Sequence, residues 1–459
     1  MADRAFPLDP QTVPEVNTKY RRIQTQIPVP ESLPTLQRLR EYEPRSMSGQ
    51  PPIVWDHAKG VQVFDKWGNM WLDFSSGVLV TNAGHSHPKV IEALTNQVQH
   101  GLLHHYCFPA EPRSLLAEKL VQLTPPSMGK AFLLTTGAES TECAIKLMRT
   151  HGVSKGGPRK SVIVTFDNAF HGRTMGAQMA GGMPAGKSWI INLDPGMVQV
   201  PYPEGFRCTD TSFDYFLKCL ADKGISADQI AGVMSETYQG VNAAFAPPEY
   251  FQAMRKWADE NDILITMDEV QAGFGRCGTW FGFEHYGMVP DLICCAKGLG
   301  DGLPISAVIG RTDVMDQYAP GSMTSTHTGN PLCCVAALAS IQAIEEEGLV
   351  ENSARMGEVL LKAMLPLKDK YAPQVGIVQG KGLVAAIQFT MPGTTDPNPD
   401  LTFDVTKACI EKGLMLFAPV GVGGCAIKMN PPLCITEDAV LEGVSVLDEA
   451  IGEALAARK

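Results

Sequence analysis

Short apolar runs alternate with longer segments through the middle of the chain, and the two kinds of segment predict different elements. The apolar runs have the length of buried strands and lie at 131–134, 161–166, 230–234, 263–267, 292–296 and 305–310. The segments between them are of helix length. This alternation favours βαβ units, and hence a mostly parallel sheet with both faces covered by helices. We therefore expect an α/β fold built around one large central domain.

The two ends of the chain follow a different pattern. Residues 61–65 and 70–74 flank the turn-forming sequence Lys66-Trp-Gly-Asn, which predicts a β-hairpin. Toward the end, the pattern predicts helices over 331–347, 351–370 and 440–456 and strands over 382–388 and 425–429. We expect an N-terminal arm and part of a small α+β domain in 1–84, the large domain in 85–331, and the rest of the small domain in 332–459.

Composition and charge narrow the class of protein. The chain has 459 residues, of which 44% are hydrophobic, so wholesale disorder is excluded. Acidic residues outnumber basic ones and the formal net charge is −11, which argues against nucleic acid or an anionic membrane as partner. No apolar run reaches the ~18 residues of a membrane span, and the first residues lack the apolar region of a secretory signal. We therefore expect a cytoplasmic protein.

Cysteine and histidine spacing gives no sign of a metal site. The twelve cysteines are scattered and contain no C-x-x-C pair, so we expect reduced, mostly buried thiols. His85 and His87 have a spacing that metal ligands can adopt, but no third ligand accompanies them. We expect no bound metal.

A turn of small residues follows the first of the central strands. Thr135-Thr-Gly-Ala-Glu-Ser140 lies between the strand 131–134 and a helical segment that begins near Thr141. Small residues at such a turn leave backbone N–H groups accessible at a helix N-terminus, where a phosphate can bind. An ordinary helix cap with a tight turn gives the same pattern, so both interpretations stay open at this point.

Two further strand ends carry ionisable residues. Asp268 and Glu269 follow the strand 263–267, where a carboxylate can hold a metal, a ribose hydroxyl or a protonated ring nitrogen, or can simply cap the structure. Lys297 follows the strand 292–296. Burying an ammonium ion is costly unless its pKa falls or the amine forms a covalent bond, and this favours a Schiff-base lysine. The glycines after Lys297 are spaced like those of a dinucleotide-binding loop. We discount this interpretation, because a lysine occupies the position at which the tight turn of such a loop begins.

These residues belong to an ordered set of motifs. The longest are Asp268-Glu-Val-Gln-Ala-Gly-Phe-Gly-Arg-Cys-Gly and Ala296-Lys-Gly-Leu-Gly-Asp-Gly-Leu-Pro, with Gly137-Ala-Glu-Ser-Thr-Glu, Phe170-His-Gly-Arg and Thr326-His-Thr-Gly-Asn-Pro elsewhere. From about residue 50 onward the sequence resembles the class III aminotransferases, which are pyridoxal-phosphate (PLP) enzymes of fold type I. The resemblance implies a sheet of the seven-stranded type in the large domain.

The resemblance also implies the central chemistry. Lys297 would bind PLP as a Schiff base and carry the proton between the substrate carbon and the cofactor. Asp268 would lie against the pyridine nitrogen and keep it protonated, so that the ring can accept electrons. Gly137 and Ala138 would donate backbone N–H groups to the cofactor phosphate.

Five other residues receive cofactor roles from the resemblance. Phe170 would stack on one face of the ring and Val270 would pack on the other, with Gln271 near the ring hydroxyl. Taken alone, Phe170 is more often a core residue, and Val270 would be assigned to the core. His171 would be hydrogen-bonded beside the cofactor in a structural role. Thr326 would reach the phosphate of a neighbouring subunit, which implies a homodimer or larger assembly with shared active sites.

The sequence departs from the family where the substrate carboxylate should bind. Many members place an arginine at the position of Lys428, and lysine keeps the charge but loses the planar, bidentate fork. The family segment Glu-Pro-[Ile/Val]-Gln-Gly is Glu236-Thr-Tyr-Gln-Gly here. We hypothesise that Glu236 neutralises Lys428 when a substrate lacks an α-carboxylate. Val78 and Tyr106 are expected to line the substrate pocket.

Three functional interpretations follow. The first is transfer of an amino group from an amine, ω-amino acid or amino acid to an α-keto acid such as pyruvate or 2-oxoglutarate, in two ping-pong half-reactions. The second is a PLP-dependent racemase or epimerase of the same family, with a decarboxylase as a variant. The third, a non-enzymatic protein with the same fold, is disfavoured because Lys297, Asp268, Gln271 and Thr326 are all present.

Overall fold

The computed structural model of the protein describes residues 5–458. The N-terminal segment is rich in short strands and contains the predicted hairpin. Its elements are β1 (Val16–Asn17), β2 (Arg22–Ile23), α1 (Leu33–Tyr42), β3 (His57–Lys59), β4 (Gln62–Phe64), β5 (Met70–Asp73) and the short turn α2 (Ser76–Leu79).

The middle segment contains most of the strands and the helices that cover them. The helices are α3 (Pro88–His100), α4 (Glu111–Gln122), α5 (Gly137–Gly156), α6 (Met175–Ala180), α7 (Phe213–Asp222), α8 (Pro248–Glu260), α9 (Thr312–Met315) and α10 (Pro331–Glu346). The strands are β6 (Lys130–Leu134), β7 (Val162–Phe166), β8 (Met197–Val200), β9 (Ile230–Glu236), β10 (Tyr238–Gln239), β11 (Ala244–Phe245), β12 (Leu264–Asp268), β13 (Leu292–Cys295) and β14 (Ser306–Gly310).

The C-terminal segment mixes long helices with a small sheet. Its elements are α11 (Leu349–Lys370), β15 (Val375–Gly380), β16 (Ala385–Phe389), α12 (Pro399–Glu411), β17 (Leu414–Met415), β18 (Ala426–Met429) and α13 (Glu437–Ala456). Within residues 5–458, none of the helices combines the length and the apolar character that a membrane span requires.

The chain divides into two compact units. One consists of the described residues up to His87 together with those from Glu351 onward, and the other is Pro88–Val350. The hydrophobic pattern predicted that the large domain ends near residue 331, before α10. In the structure α10 packs against α3 and α4, so its apolar faces are buried within the second unit.

The second unit is organised by a seven-stranded sheet. Its strand order is β6-β14-β13-β12-β9-β7-β8, and every neighbouring pair is parallel except those that include β14. The expected α/β fold with a mostly parallel sheet is therefore confirmed. Helix α5 packs on β9, β13 and β14, and its buried side chains join those of the strands in one apolar core.

The first unit contains two smaller sheets. One has the order β1-β2-β5-β4-β3, with β17 from the C-terminal segment added parallel to β5. The other is antiparallel, with the order β15-β16-β18. The two ends of the chain thus pair within one α+β unit, because β17 hydrogen-bonds to a strand more than three hundred residues earlier.

Candidate active site

The parallel strands of the seven-stranded sheet direct their carboxyl ends to the same edge. Five of these ends lead directly into residues singled out from the sequence. Gly137 follows β6, Phe170 and His171 follow β7, Glu236 ends β9, Asp268 ends β12 and Lys297 follows β13. Asp268 is in register with Glu236 on one side and with Cys294 on the other. Ligand sites of open α/β sheets form at this edge, so the fold brings the candidate residues together.

Lys297 starts a short 3₁₀ turn at the end of β13. Its φ of 39° lies in the left-handed region, which is uncommon for a residue with a side chain and occurs often at functional sites. Burial lowers the pKa of Lys297 below its ordinary value, while the negative charges of Asp268 and Glu236 act in the opposite direction. A larger fraction of neutral amine makes this lysine a better nucleophile and proton acceptor.

Asp268 is held from two sides. Its Oδ1 accepts the backbone N–H of Val270 at 3.0 Å, and its Oδ2 accepts His171 Nδ1 at 2.8 Å. Burial would lower the pKa of His171, but the hydrogen bond and charge of Asp268, together with the charge of Glu236, raise it overall. A protonated His171 donates a charge-assisted hydrogen bond to Asp268.

Glu236 is buried and binds two backbone donors. Its Oε2 accepts the N–H of Phe170 at 3.0 Å, and its Oε1 accepts the N–H of Gly240 at 2.9 Å. Burial raises the pKa of Glu236 to about 7; His171 and the two N–H donors lower it, and Asp268 raises it further. The carboxylate therefore connects the loop after β7 to the turn after β9.

The turn after β6 is shaped to bind an anion. Thr136 and Glu139 form a reciprocal capping box, in which Glu139 Oε2 accepts the N–H groups of Thr135 and Thr136, each at 2.9 Å. Within residues 5–458, no protein acceptor binds the N–H groups of Gly137 and Ala138. Two free donors at the N-terminus of a twenty-residue helix suit a phosphate. This geometry fits the cofactor phosphate that the sequence predicted here.

Val270 and Gln271 lie beside this turn and beside Glu236. A Cβ added at Gly137 would be 3.0 Å from Val270 Cγ1, so Val270 packs directly on the phosphate turn. A Cβ added at Gly240 would be 2.3 Å from Gln271 Nε2. Val270 thus faces the turn after β6, whereas Gln271 faces Gly240 in the turn after β9.

The loop with Phe170 and His171 is fixed at several points. The carbonyl of His171 accepts Thr141 Oγ1 at 2.8 Å, and Glu142 Oε1 accepts the N–H groups of Gly176 and Ala177. The Phe170 ring is partly exposed, with the Arg173 guanidinium 5.5 Å from its centroid. Phe170 therefore presents a ring face at the strand edge on a well-supported backbone.

Thr326 and Tyr106 lie on two loops that contact each other. Thr326 is exposed between β14 and α10, and Tyr106 is 40% exposed. The Tyr106 hydroxyl lies 3.4 Å from Thr324 Oγ1, and His105 Nε2 lies 2.6 Å from the Gly329 carbonyl oxygen. The contact of Thr326 with a neighbouring subunit stays a prediction.

Two predicted substrate residues belong to the first unit. Lys428 lies on β18 and is only 3% exposed, with Nζ 5.9 Å from the centroid of the Phe417 ring. Val78 is 43% exposed and has a φ of 68°, a strained value for a β-branched residue. The pairing of Lys428 with Glu236 stays a prediction.

His85 of the same unit has a carboxylate partner, since His85 Nε2 lies 2.6 Å from Asp73 Oδ2. Among residues 5–458, no group of three or more histidine, cysteine and acidic side chains could hold a metal ion.

The strand end after β12 carries one more carboxylate, Glu269, whose partners the sequence did not reveal. Glu269 is fully buried and accepts the Thr237 hydroxyl and the N–H groups of Gly282 and Phe283, the latter two at 2.8 Å. Burial raises the pKa of Glu269 to about 7, although its three donors lower it. The available signal was the replacement of the family proline by Thr237, which supplies a hydroxyl donor.

Comparisons with known proteins agree with this geometry. The family model for aminotransferase class III matches residues 45–451. A 4-aminobutyrate aminotransferase of Mycobacterium leprae is 35% identical over 449 residues, covering 94% of this chain and 98% of that protein. A leucine/methionine racemase of Thermococcus litoralis is 32% identical over 415 residues, covering 88% of this chain and 91% of that protein.

A solved structure gives the same result at the level of the fold. An amine transaminase from an uncultivated Pseudomonas species, in its PLP-bound form, superposes with a TM-score of 0.81 at 27% identity, covering 87% of this chain and 95% of that one. The match to the family model spans most of the chain, including all five strand ends described above. The chain is therefore a member of the class III aminotransferases, which are PLP-dependent enzymes of fold type I.

Proposed function

We propose that this enzyme transfers an amino group from an amine or ω-amino acid to an α-keto acid such as pyruvate or 2-oxoglutarate, by a ping-pong mechanism with Lys297 at its centre. The observation that supports this most is the environment of Lys297. Burial disfavours its ammonium form, and the negative charges of Asp268 and Glu236 at the carboxyl edge of the sheet interact with it electrostatically. A lysine in this environment can move a proton at neutral pH.

Each proposed role is assigned to a residue at the strand ends already described. PLP, when bound, supplies an acceptor for the electron pair left behind when the substrate carbon loses its proton. Lys297 Nζ would take that proton and carry it from the substrate carbon to the cofactor, while Asp268 would keep the ring nitrogen protonated. The 2.8 Å bond from His171 supports the charge of Asp268. The N–H groups of Gly137 and Ala138 bind the phosphate and fix the orientation of the reacting carbon.

The donor class is proposed from the relatives and from the lysine that replaces the family arginine at position 428. The relative from Mycobacterium leprae is a 4-aminobutyrate aminotransferase. A lysine at position 428 provides one charge without a bidentate fork, so we propose that it binds the keto-acid carboxylate and is neutralised by Glu236 when an ω-amino donor is bound. We further propose a cytoplasmic homodimer in which Thr326 completes the phosphate site of the other subunit.

The test is spectroscopic. Holoenzyme is mixed with single amines and amino acids in the absence of keto acid, and the visible absorbance of the bound cofactor is followed. Loss of this absorbance with ω-amino donors, restored by pyruvate or 2-oxoglutarate, is the expected result. Lys297→Ala holoenzyme is the matched control and should show neither change. If none of the donors changes the absorbance, transamination is contradicted.

Racemisation is the second candidate, because one relative is a leucine/methionine racemase at 32% identity. Both reactions use the same lysine, but a racemase returns the proton to the carbon from which it came. The same experiment separates the two. A chiral amino acid that loses optical activity, while the cofactor absorbance persists and no keto acid accumulates, would favour the racemase.

A further inference from the structure

We infer that Glu236 is a positioning residue that fixes the backbone of Phe170 against the cofactor site. This inference rests on the proposed function, because it assigns a role toward the cofactor that the function requires. It gives Glu236 a task that exists before any substrate binds.

Both oxygens of Glu236 are used as acceptors. Oε2 accepts from Phe170 N–H and Oε1 accepts from Gly240 N–H, at 3.0 and 2.9 Å. The two donors belong to different loops, one after β7 and one after β9. A carboxylate is the side-chain group of this length that can accept on both sides at once, whereas an amide has one acceptor oxygen and one donor nitrogen. The bridge therefore requires glutamate.

Gly240 makes this bridge possible by its lack of a side chain. A Cβ added there would lie 2.7 Å from Glu236 Oε1 and 2.3 Å from Gln271 Nε2. Both nearest atoms are ends of side chains, so alanine can be accommodated only if the carboxylate or the amide moves away. Gly240→Ala is thus expected to fold while displacing the Glu236 carboxylate, the Gln271 amide or both.

The connected loop carries the groups that define one side of the site. Phe170 is followed by His171, whose imidazole donates to Asp268. Releasing the N–H of Phe170 would therefore loosen the ring and the residue that supports the Asp268 charge. The effect should be seen in the affinity for PLP and in the orientation of the bound chromophore.

The experiment uses PLP titration of apoenzyme, followed by absorbance and by visible circular dichroism of the bound cofactor. Glu236→Gln and Gly240→Ala are each expected to weaken PLP binding about tenfold, the effect of one lost hydrogen bond to a charged group, and to reduce the dichroic signal per bound cofactor. Glu269→Gln is the control, since it also removes a buried carboxylate with backbone donors but does not contact the Phe170 loop.

Each outcome has a defined meaning. Wild-type affinity and dichroism in both Glu236→Gln and Gly240→Ala would overturn the inference, as would an equal loss in Glu269→Gln. If Glu236→Gln does not fold, Gly240→Ala is compared with Gln271→Ala, which removes the amide and leaves the carboxylate bridge in place. Failure of the wild-type protein to bind PLP would instead contradict the proposed function. A role for Glu236 in substrate charge alone predicts normal PLP binding and a change only in the KM for keto acid.

Discussion

The buried carboxylate of Glu269 makes the stability of this enzyme depend on pH in a direction that can be worked out. Burial raises the pKa of Glu269 to about 7 from an ordinary value of 4.5. Between these values the folded chain keeps a proton that the unfolded chain has released. The stabilising contribution is therefore complete below about pH 4.5 and is lost as the pH rises through about 7.

Glu269→Gln isolates this contribution. The two pKa values give a wild-type loss of about 1.4 kcal/mol between about pH 6 and about pH 8.5, or about tenfold in the unfolding equilibrium. Glutamine does not titrate, but it turns a donor nitrogen toward one of the three donors of Glu269. That mismatch adds a penalty of about 1–3 kcal/mol that is the same at every pH. The deficit of the variant should therefore shrink by about 1.4 kcal/mol as the pH rises.

The assay is urea denaturation of wild type and Glu269→Gln, with saturating PLP and equal protein concentrations at each pH. Only the difference between the two free energies of unfolding is interpreted. Glu236, whose pKa is also raised to about 7 by burial, titrates in both proteins and cancels in this difference. A difference that stays constant from about pH 6 to about pH 8.5 would refute the assignment of a raised pKa to Glu269.

Four further substitutions test the site directly. Lys297→Ala should lower kcat by about a thousandfold or more, measured with the best donor and acceptor pair, and should leave the fold intact by far-ultraviolet circular dichroism. Asp268→Asn should lower kcat/KM by about a hundredfold, because the ring nitrogen and His171 both lose a charged partner; activity within threefold of wild type would contradict this role. Thr237→Val should destabilise the protein by about 1.5–3 kcal/mol in urea denaturation, with Thr237→Ser close to wild type, because the hydroxyl donates to a buried carboxylate. Gly137→Ala should weaken PLP binding about threefold to tenfold, because its methyl would press on Val270; Gly49→Ala, which has open space around it, is the control.

The sequence pattern predicted most of the central sheet, and the exceptions have physical causes. Strand β8 is an edge strand whose side chains are only partly buried, so it lacks the continuous apolar run of its neighbours. The antiparallel direction of β14 was readable from the chain. Only ten residues separate it from β13, fewer than the dozen or more that a parallel crossover needs.

The site was predictable in its residue types and not in its contacts. Strand ends and the family resemblance identified Lys297, Asp268 and the phosphate turn. The bond from His171 to Asp268 joins residues 97 positions apart, and the donors to Glu236 are backbone N–H groups. Every residue except proline has such a group, and the one constraint on identity, the glycine at position 240, does not tell which side chain it contacts. Side-chain patterns cannot reveal a contact whose specificity comes from the backbone. The sheet order β12-β9-β7, with Asp268 in register with Glu236, brings these groups together.

The charges at the strand ends form a balanced set. Lys297 and His171 can each carry a positive charge, and Asp268 and Glu236 can each carry a negative one. Burial shifts the pKa of Lys297 downward and that of Glu236 upward, so both shifts favour the neutral forms. A proton that moves from Lys297 to Glu236 leaves the net charge of the set unchanged, whereas loss of a proton to solvent would leave an uncompensated buried anion, which is strongly unfavourable. The pair of carboxylates thus allows Lys297 to be a neutral, reactive amine in the interior, while His171 donates its hydrogen bond to Asp268.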